Sequence, residues 1–143
     1  MAKVYSVCIS EQRGQLKKEI PVGNVIEGFG LEKDGHGGDW NRQITCLNLE
    51  SLLKCNEEND LKMGPGDMAE NILIEGLSEL NLQPGDEFQL GDSAVLRVSQ
   101  IGKPDHPSVV LRNFGVSLLP SEGLFCRVIT GGKIQKGDVV IRK

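Results

Sequence analysis

Short apolar runs recur along this chain, and turns rich in glycine or proline separate them. The 18 glycines and 6 prolines are spread over all 143 residues. This alternation is typical of many short strands. A doubly wound α/β fold would require helical segments between most strands, and these are missing. We therefore predict a mainly β fold in one domain spanning residues 1–143: a small closed or partly open β-barrel with mixed strands and one or two short helices.

The clearest strand is expected at Ala94–Ile101. Further strands are predicted at Lys3–Ile9, Val22–Ile26, Gln43–Asn48, Ile72–Glu75, Glu87–Leu90, Leu124–Thr130 and Val139–Arg142.

One helix is predicted after Asn48, whose side chain can cap it. Leu49, Leu52 and Leu53 would form its apolar stripe. Glu50 and Lys54 are spaced for an ion pair one turn apart. A shorter helical turn is expected around Ser108–Phe114.

Charge and cysteine content exclude several classes of protein. A net charge of −4 and a pI near 5.2 argue against a nucleic-acid-binding protein, which normally needs a basic patch. No apolar run approaches the roughly 20 residues of a bilayer span, and the N-terminus lacks a signal-peptide core. We expect a cytoplasmic protein without a membrane partner. Its 4 cysteines have no metal-ligand spacing, so free thiols are expected rather than a zinc site.

The loop from Asp34 to Gln43 combines a glycine-rich backbone with side chains that suit an anionic or metal-bound ligand. Its glycines let the backbone approach a ligand and expose N–H groups to it. The neutral imidazole of His36 can ligate a metal. Arg42 offers a permanent charge for phosphate or carboxylate, and Trp40 a flat ring for stacking. The alternative is a surface loop whose Trp40 packs on the end of the barrel.

Two other segments place polar side chains beside predicted strands. Glu70 and Asn71 are expected either to close the barrel end with hydrogen bonds or to point into a ligand cavity. Lys103, Asp105 and His106 follow the clearest strand in a proline-bracketed turn. Two alternatives follow: either Asp105 orients the neighbouring imidazole, or the segment is only a turn.

The thiols are expected to be structural. Cys46 and Cys126 alternate with apolar neighbours, which is typical of small core residues. Cys55 lies near the end of the predicted helix and is expected to be more exposed. None has a sequence neighbour that would activate it as a nucleophile.

Taken in order, these segments resemble the MOSC domain, the C-terminal domain of molybdenum-cofactor sulfurases, which also occurs as small stand-alone bacterial proteins. Arg13–Lys18 is similar to the family motif RGTxK. Gly30–Gly38 with Arg42–Ile44 is similar to G-D-x-H-x-G followed by R-Q-V. Pro65–Ile72 is similar to PGxFxEN, Gln100–Lys103 to xxQIGK, and Pro120–Val128 to PREGIFARV. Each motif is short, but together they span nearly the whole chain.

The resemblance implies a β-rich barrel that handles molybdenum cofactor or transfers sulfur to metal–sulfur centres. The family's expected sulfur carrier is a cysteine shortly after the IGK motif. Asp105 stands at that position here, and Val109 at the position of a second family cysteine. A carboxylate cannot form a persulfide, although it accepts hydrogen bonds and ligates hard metal ions. Whether the chain is a sulfur transferase, and so an enzyme, is therefore open.

Three functions follow from the resemblance. In the first, the protein binds molybdenum cofactor (molybdopterin), or a related anionic metal–pterin ligand, in cofactor biosynthesis or sulfuration without carrying sulfur itself. Its cofactor-binding residues would be His36, Arg42, Glu70, Asn71, Lys103 and His106. In the second, Cys126 or Cys46 replaces the missing sulfur carrier.

In the third function, a non-catalytic barrel only binds a protein partner. A cysteine desulfurase and a molybdoenzyme are the partners that the resemblance suggests. No metal ligand is assigned. Pyridoxal phosphate is not supported, because the chain has no lysine motif for a Schiff base and no desulfurase module.

Overall fold

The computed structural model describes all 143 residues and is mainly β, as predicted. The strands are β1 (Ala2–Ile9), β2 (Lys18–Ile20), β3 (Val22–Ile26), β4 (Gly30–Leu31), β5 (Ile44–Asn48), β6 (Ile72–Glu75), β7 (Glu87–Leu90), β8 (Ala94–Ile101), β9 (Leu124–Thr130), β10 (Gly132–Gln135) and β11 (Val139–Arg142). The helices are α1 (Leu49–Asn59), α2 (Val109–Phe114) and α3 (Leu119–Glu122), with a 3-10 turn at Leu77–Leu80.

Seven of the strands close into a mixed barrel in the order β1-β11-β7-β8-β9-β5-β6. Every pair in the ring is antiparallel except β5 and β6, which run parallel. Closure depends on β1: Ala2 and Lys3 pair with β11, and Lys3–Val7 pair with β6. A register shift between Val4 and Ser6 bends this strand at the seam. The short strand β2 pairs antiparallel with β1 outside the ring, and a separate sheet, β10-β3-β4, completes the β structure.

Alternation along β5, β6 and β9 sends side chains to two different apolar clusters. Cys46 and Cys126 belong to the cluster that fills the barrel. Leu47, Leu73 and Phe125 point outward into a second cluster with residues of α1 and α2. Successive residues of a strand face opposite sides of a sheet, so the helices cover one outer wall of the barrel. The candidate site lies along this wall.

Helix α1 lies where the sequence predicts it, but three of its details differ. Asn48 makes no side-chain capping bond, because its amide donates to Ser51 Oγ at 3.1 Å and its oxygen accepts from Ser78 N at 3.3 Å. Glu50 forms no ion pair with Lys54; it accepts a hydrogen bond from Gly76 N at 2.9 Å. The buried stripe is Leu49, Leu52 and Cys55, whereas Leu53 is exposed.

Helix α2 follows the prediction more closely. Ser108 Oγ caps it by accepting a hydrogen bond from Leu111 N at 3.2 Å. Gly115 ends it with a φ of +75°, a backbone conformation that glycine adopts without strain. None of the helices has the length and apolar character that crossing a membrane requires.

Candidate functional site

A cavity of about 390 Å³ opens on the helix-covered side of the barrel. Three elements supply most of its walls: the loop before β5, the turn after β8, and α2. The segment before β2 closes it with Arg13. Its basic and aromatic lining residues are Arg13, His36, Trp40, Arg42, Lys103, His106, Arg112 and Phe125. The volume lies within the range of small-molecule sites, about 300–1,000 Å³.

Close contacts fix the glycine-rich loop in place. Asp34 Oδ1 accepts a hydrogen bond from Ser10 N at 3.0 Å, and Gly35 N donates to Ser10 O at 2.7 Å. A Cβ on Gly37 would clash with the Phe29 ring, so a larger residue here would require that ring to move. The loop is therefore a shaped wall of the cavity.

Trp40 organises the cationic side chains of this wall. Its Nε1 donates to the carbonyl oxygen of His36 at 2.7 Å, and its ring stacks on the imidazole at an interplanar angle of 13°. The guanidinium carbons of Arg13 and Arg42 lie 4.6 and 5.0 Å from the Trp40 ring centroid. Arg42 is also 5.7 Å from the ring centroid of Phe125. Such cation–π contacts hold the guanidinium groups in defined places.

The cations of the cavity have no carboxylate partners. No aspartate or glutamate lines the cavity, and Arg13, Arg42, Lys103 and Arg112 form no ion pair. The chain's other arginines each form one: Arg97 with Glu87, Arg127 with Asp39 and Arg142 with Asp86. In a chain of net charge −4, this separation leaves a positive cavity, and the carboxylate that acts on Lys103, that of Asp105, lies outside the lining.

The turn after β8 carries Lys103 and His106 to the mouth of the cavity. Burial, followed by the nearby Arg42, lowers the pKa of Lys103. Lys103 Nζ lies 3.3 Å from His106 Nε2, and His106 Nδ1 lies 2.8 Å from the Pro107 carbonyl oxygen. The expectation that Asp105 orients this imidazole is wrong, because both ring nitrogens already have other partners. Asp105 is exposed and lies outside the cavity lining.

His36 differs from His106 because it is half-buried. Its ring nitrogen Nδ1 lies 3.2 Å from Nζ of the buried Lys17. Burial, and then the positive charge of Lys17, lowers the pKa of His36 from 6.5 to about 4. The imidazole is therefore uncharged at neutral pH.

Glu70 and Asn71 lie behind the cavity and are not among its lining residues. Both are fully buried. The Glu70 carboxylate accepts hydrogen bonds from Gly66 N at 2.7 Å and Met68 N at 3.1 Å. Asn71 Oδ1 accepts from Thr45 N at 2.9 Å, and its Nδ2 donates to Cys8 O at 3.1 Å. In this structure both side chains therefore make internal hydrogen bonds and do not point into the cavity.

All four cysteines are buried, free and absent from the cavity lining. Cys55 is the most exposed of the four at 6%, but it is still buried and packs in the second cluster. Burial raises the pKa of Cys126 and raises that of Cys8 to about 12. Nowhere do three His, Cys, Asp or Glu side chains converge in a group that could hold a metal ion.

Sequence reasoning missed three residues of this site. Arg13 belongs to a motif, but its approach to Trp40 depends on the tertiary fold. Arg112 follows Ser108 by four positions, so the predicted helical turn was the available signal. Lys17 belongs to the segment Arg13–Lys18 that resembles a family motif, but nothing in that segment indicates that its side chain is buried.

Comparisons with known proteins agree with this architecture. The YuaD protein from Bacillus subtilis superposes with a TM-score of 0.77 at 18% identity, covering 98% of this chain and 94% of that one. YiiM from Geobacillus stearothermophilus gives 0.74 at 18% identity, covering 100% and 75%. YiiM from Escherichia coli gives 0.72 at 23% identity, covering 100% and 70%. At these identities the superpositions establish a shared fold.

A search of the curated proteins finds no match. The family model described as the MOSC domain matches residues 32–141, which includes the glycine-rich loop, the turn after β8 and α2. The chain therefore belongs to the MOSC domain family.

Proposed function

We propose that this protein binds molybdenum cofactor, or a closely related pterin that carries a phosphate, in the cavity beside the barrel. The observation that carries the proposal is the set of unpaired cations. Arg13, Arg42, Lys103 and Arg112 line one cavity without a carboxylate among them. Guanidinium groups bind phosphate oxygens with paired, charge-assisted hydrogen bonds, so this donor set fits an anionic ligand.

The residues present also fit the flat part of such a ligand. Trp40 and Phe125 give the cavity aromatic surface beside the guanidinium groups. Arg42 and Lys103 would hold the phosphate, and His36 would donate a hydrogen bond to a ligand oxygen. When bound, the cofactor supplies the redox chemistry of molybdenum. This chain contributes binding and orientation.

The buried thiols oppose sulfur transfer through Cys46 or Cys126. Both side chains are 0% exposed, and both belong to the cluster inside the barrel. A persulfide carrier needs a thiolate that solvent and partners can reach. Asp105 occupies the family cysteine's position and supplies no sulfur. We therefore propose a cofactor-binding role without a sulfur carrier, in the reducing cytoplasm where free thiols persist.

A titration with two pterins tests the proposal. One carries a phosphate monoester on its side chain, and the other is the same compound without phosphate. Pterin fluorescence and calorimetry should detect binding of the phosphorylated compound, with an affinity that weakens as salt is added. The dephosphorylated compound should bind at least about tenfold more weakly, since one charge-assisted hydrogen bond contributes about 1.5–3 kcal/mol. Equal affinities, or no binding of either at high micromolar concentration, would contradict the proposal.

A further inference from the structure

Lys17 is a buried cation that contacts the back of the candidate site. Its side chain is 1% exposed, and its Nζ lies 2.7 Å from Oδ1 of Asp34, whose side chain is 0% exposed. The same Nζ lies 3.2 Å from His36 Nδ1. The other carboxylate oxygen of Asp34 accepts a hydrogen bond from His36 N at 3.3 Å. Asp34 thus holds both the lysine and the backbone of the histidine.

This geometry fixes where His36 carries its proton. An ammonium group has three donors and no acceptor. In its contact with Lys17, His36 Nδ1 must therefore be the acceptor, and the single proton of the neutral ring lies on Nε2. A second proton on Nδ1 would point directly at the ammonium group.

Of the other charged groups near the ring, two also lower the pKa of His36 and one raises it. Arg13 and Lys103 add positive charge near His36, whereas Asp34 is the carboxylate that favours its protonation. Asp34 is already paired with Lys17 and Ser10 N. The Trp40 ring lies nearly parallel to the imidazole, with the ring centroids 6.2 Å apart, and its Nε1 donates to the His36 carbonyl oxygen.

We infer that Lys17 is a positioning residue that fixes His36 as a neutral donor, with its Nε2–H directed into the cavity. His36 is then neither a metal ligand nor a general base, because one nitrogen faces an ammonium group and the other carries a proton. It can only donate a hydrogen bond, and its ligand atom must be an acceptor such as a phosphate, carbonyl or oxo oxygen. The identity of that acceptor rests on the proposed function, whereas the protonation state does not.

Nitrogen-15 NMR of the ligand-free protein tests the inference directly. The chain has 2 histidines, so a His106→Gln variant assigns both imidazoles. Long-range proton–nitrogen spectra should show His36 as the Nε2–H tautomer, unchanged between about pH 6 and pH 8, around the free imidazole pKa. An Nδ1–H tautomer, a mixture of both, or an imidazolium signal in this range would overturn it.

Removing the lysine charge separates positioning from simple packing. In Lys17→Met, the pKa of His36 should rise by about one pH unit or more, because a like charge is lost and Asp34 remains. If the uncompensated Asp34 carboxylate prevents folding, Lys17→Met combined with Asp34→Asn removes both charges. His36 should then populate both tautomers. A folded variant in which His36 keeps a single Nε2–H form and its original pKa would refute a role for Lys17.

A ligand titration keeps this inference separate from the proposed function. His36→Gln retains a side-chain N–H donor, whereas His36→Leu has none. With the phosphorylated pterin as probe, Gln should keep affinity within about threefold of wild type and Leu should lose about tenfold, as expected for one hydrogen bond. If the wild-type protein binds no pterin, the proposed function is contradicted. The NMR result on the free protein would still decide the inference about Lys17.

Discussion

Replacing Arg42 with alanine should weaken binding of an anionic ligand far more than it weakens the fold. The Arg42 guanidinium is half-buried, lines the cavity and has no carboxylate partner. If it donates to a phosphate, its loss should cost about 1.5–3 kcal/mol of binding free energy. That corresponds to about a 10- to 150-fold higher Kd for the phosphorylated pterin.

The cost to stability follows from the contacts that Arg42 makes in the free protein. The guanidinium carbon lies 5.0 Å from the Trp40 ring centroid and 5.7 Å from that of Phe125. Two cation–π contacts at a partly exposed site contribute about 1–2 kcal/mol together. Denaturant unfolding should therefore show a loss of this size, with an unchanged slope.

Arg97→Ala is the matched control. Arg97 lies on β8 outside the cavity and pairs with Glu87 at 2.7 Å. Its removal should leave the Kd unchanged and cost about 0–1 kcal/mol of stability. Calorimetric titration of both variants decides the matter. If Arg42→Ala binds as tightly as wild type, or if Arg97→Ala loses as much affinity, the assignment of this cavity to an anion is wrong.

Three further predictions concern the reactivity of the cysteines, the ionisation of Glu70 and the backbone at Gly66. First, a thiol reagent should label none of the four buried cysteines in the native protein and all of them in denaturant. Incubation with a cysteine desulfurase should leave no persulfide on Cys126, and a persulfide there would restore the sulfur-transfer hypothesis. Second, burial raises the pKa of Glu70 from 4.5 to about 7. The contribution of the protonated Glu70 to stability is therefore present below about pH 4.5 and is lost as the pH rises through 7. In Glu70→Gln this decline should disappear, and an identical pH profile of stability in both proteins would count against it. Third, Gly66→Ala should destabilise the protein much more than Gly115→Ala. Both glycines have positive φ, but only the Gly66 Cβ would clash with a backbone oxygen, that of Lys17. Equal losses of stability in urea unfolding would disprove the clash.

The longer strands could be predicted from the sequence because each carries a clear alternation between turn signals. The predictions at Val22–Ile26 and Ala94–Ile101 agree with β3 and β8 to the residue. The strand β4, at Gly30–Leu31, is too short to show any period. Gly132–Gln135 begins with glycine and has two polar members, so β10 is recognisable only by its pairing with β3.

The candidate site was predictable only in part. His36, Arg42 and Lys103 stand in loops that motif and composition single out, and the structure brings them into one cavity. The burial of Lys17 depends on a carboxylate 17 positions away, which no local pattern reveals. The sequence around Glu70 is compatible with both a structural and a ligand-facing side chain. In the folded chain it accepts backbone hydrogen bonds from its own turn.

A crystal structure with the phosphorylated pterin bound tests the central claim most directly. The account predicts that the phosphate lies within hydrogen-bond distance of Arg42 and Lys103, with the pterin ring in the same cavity. It also predicts that His36 Nε2 contacts a ligand oxygen. A phosphate bound outside this cavity, with Arg42 and Lys103 left without a ligand contact, would contradict it.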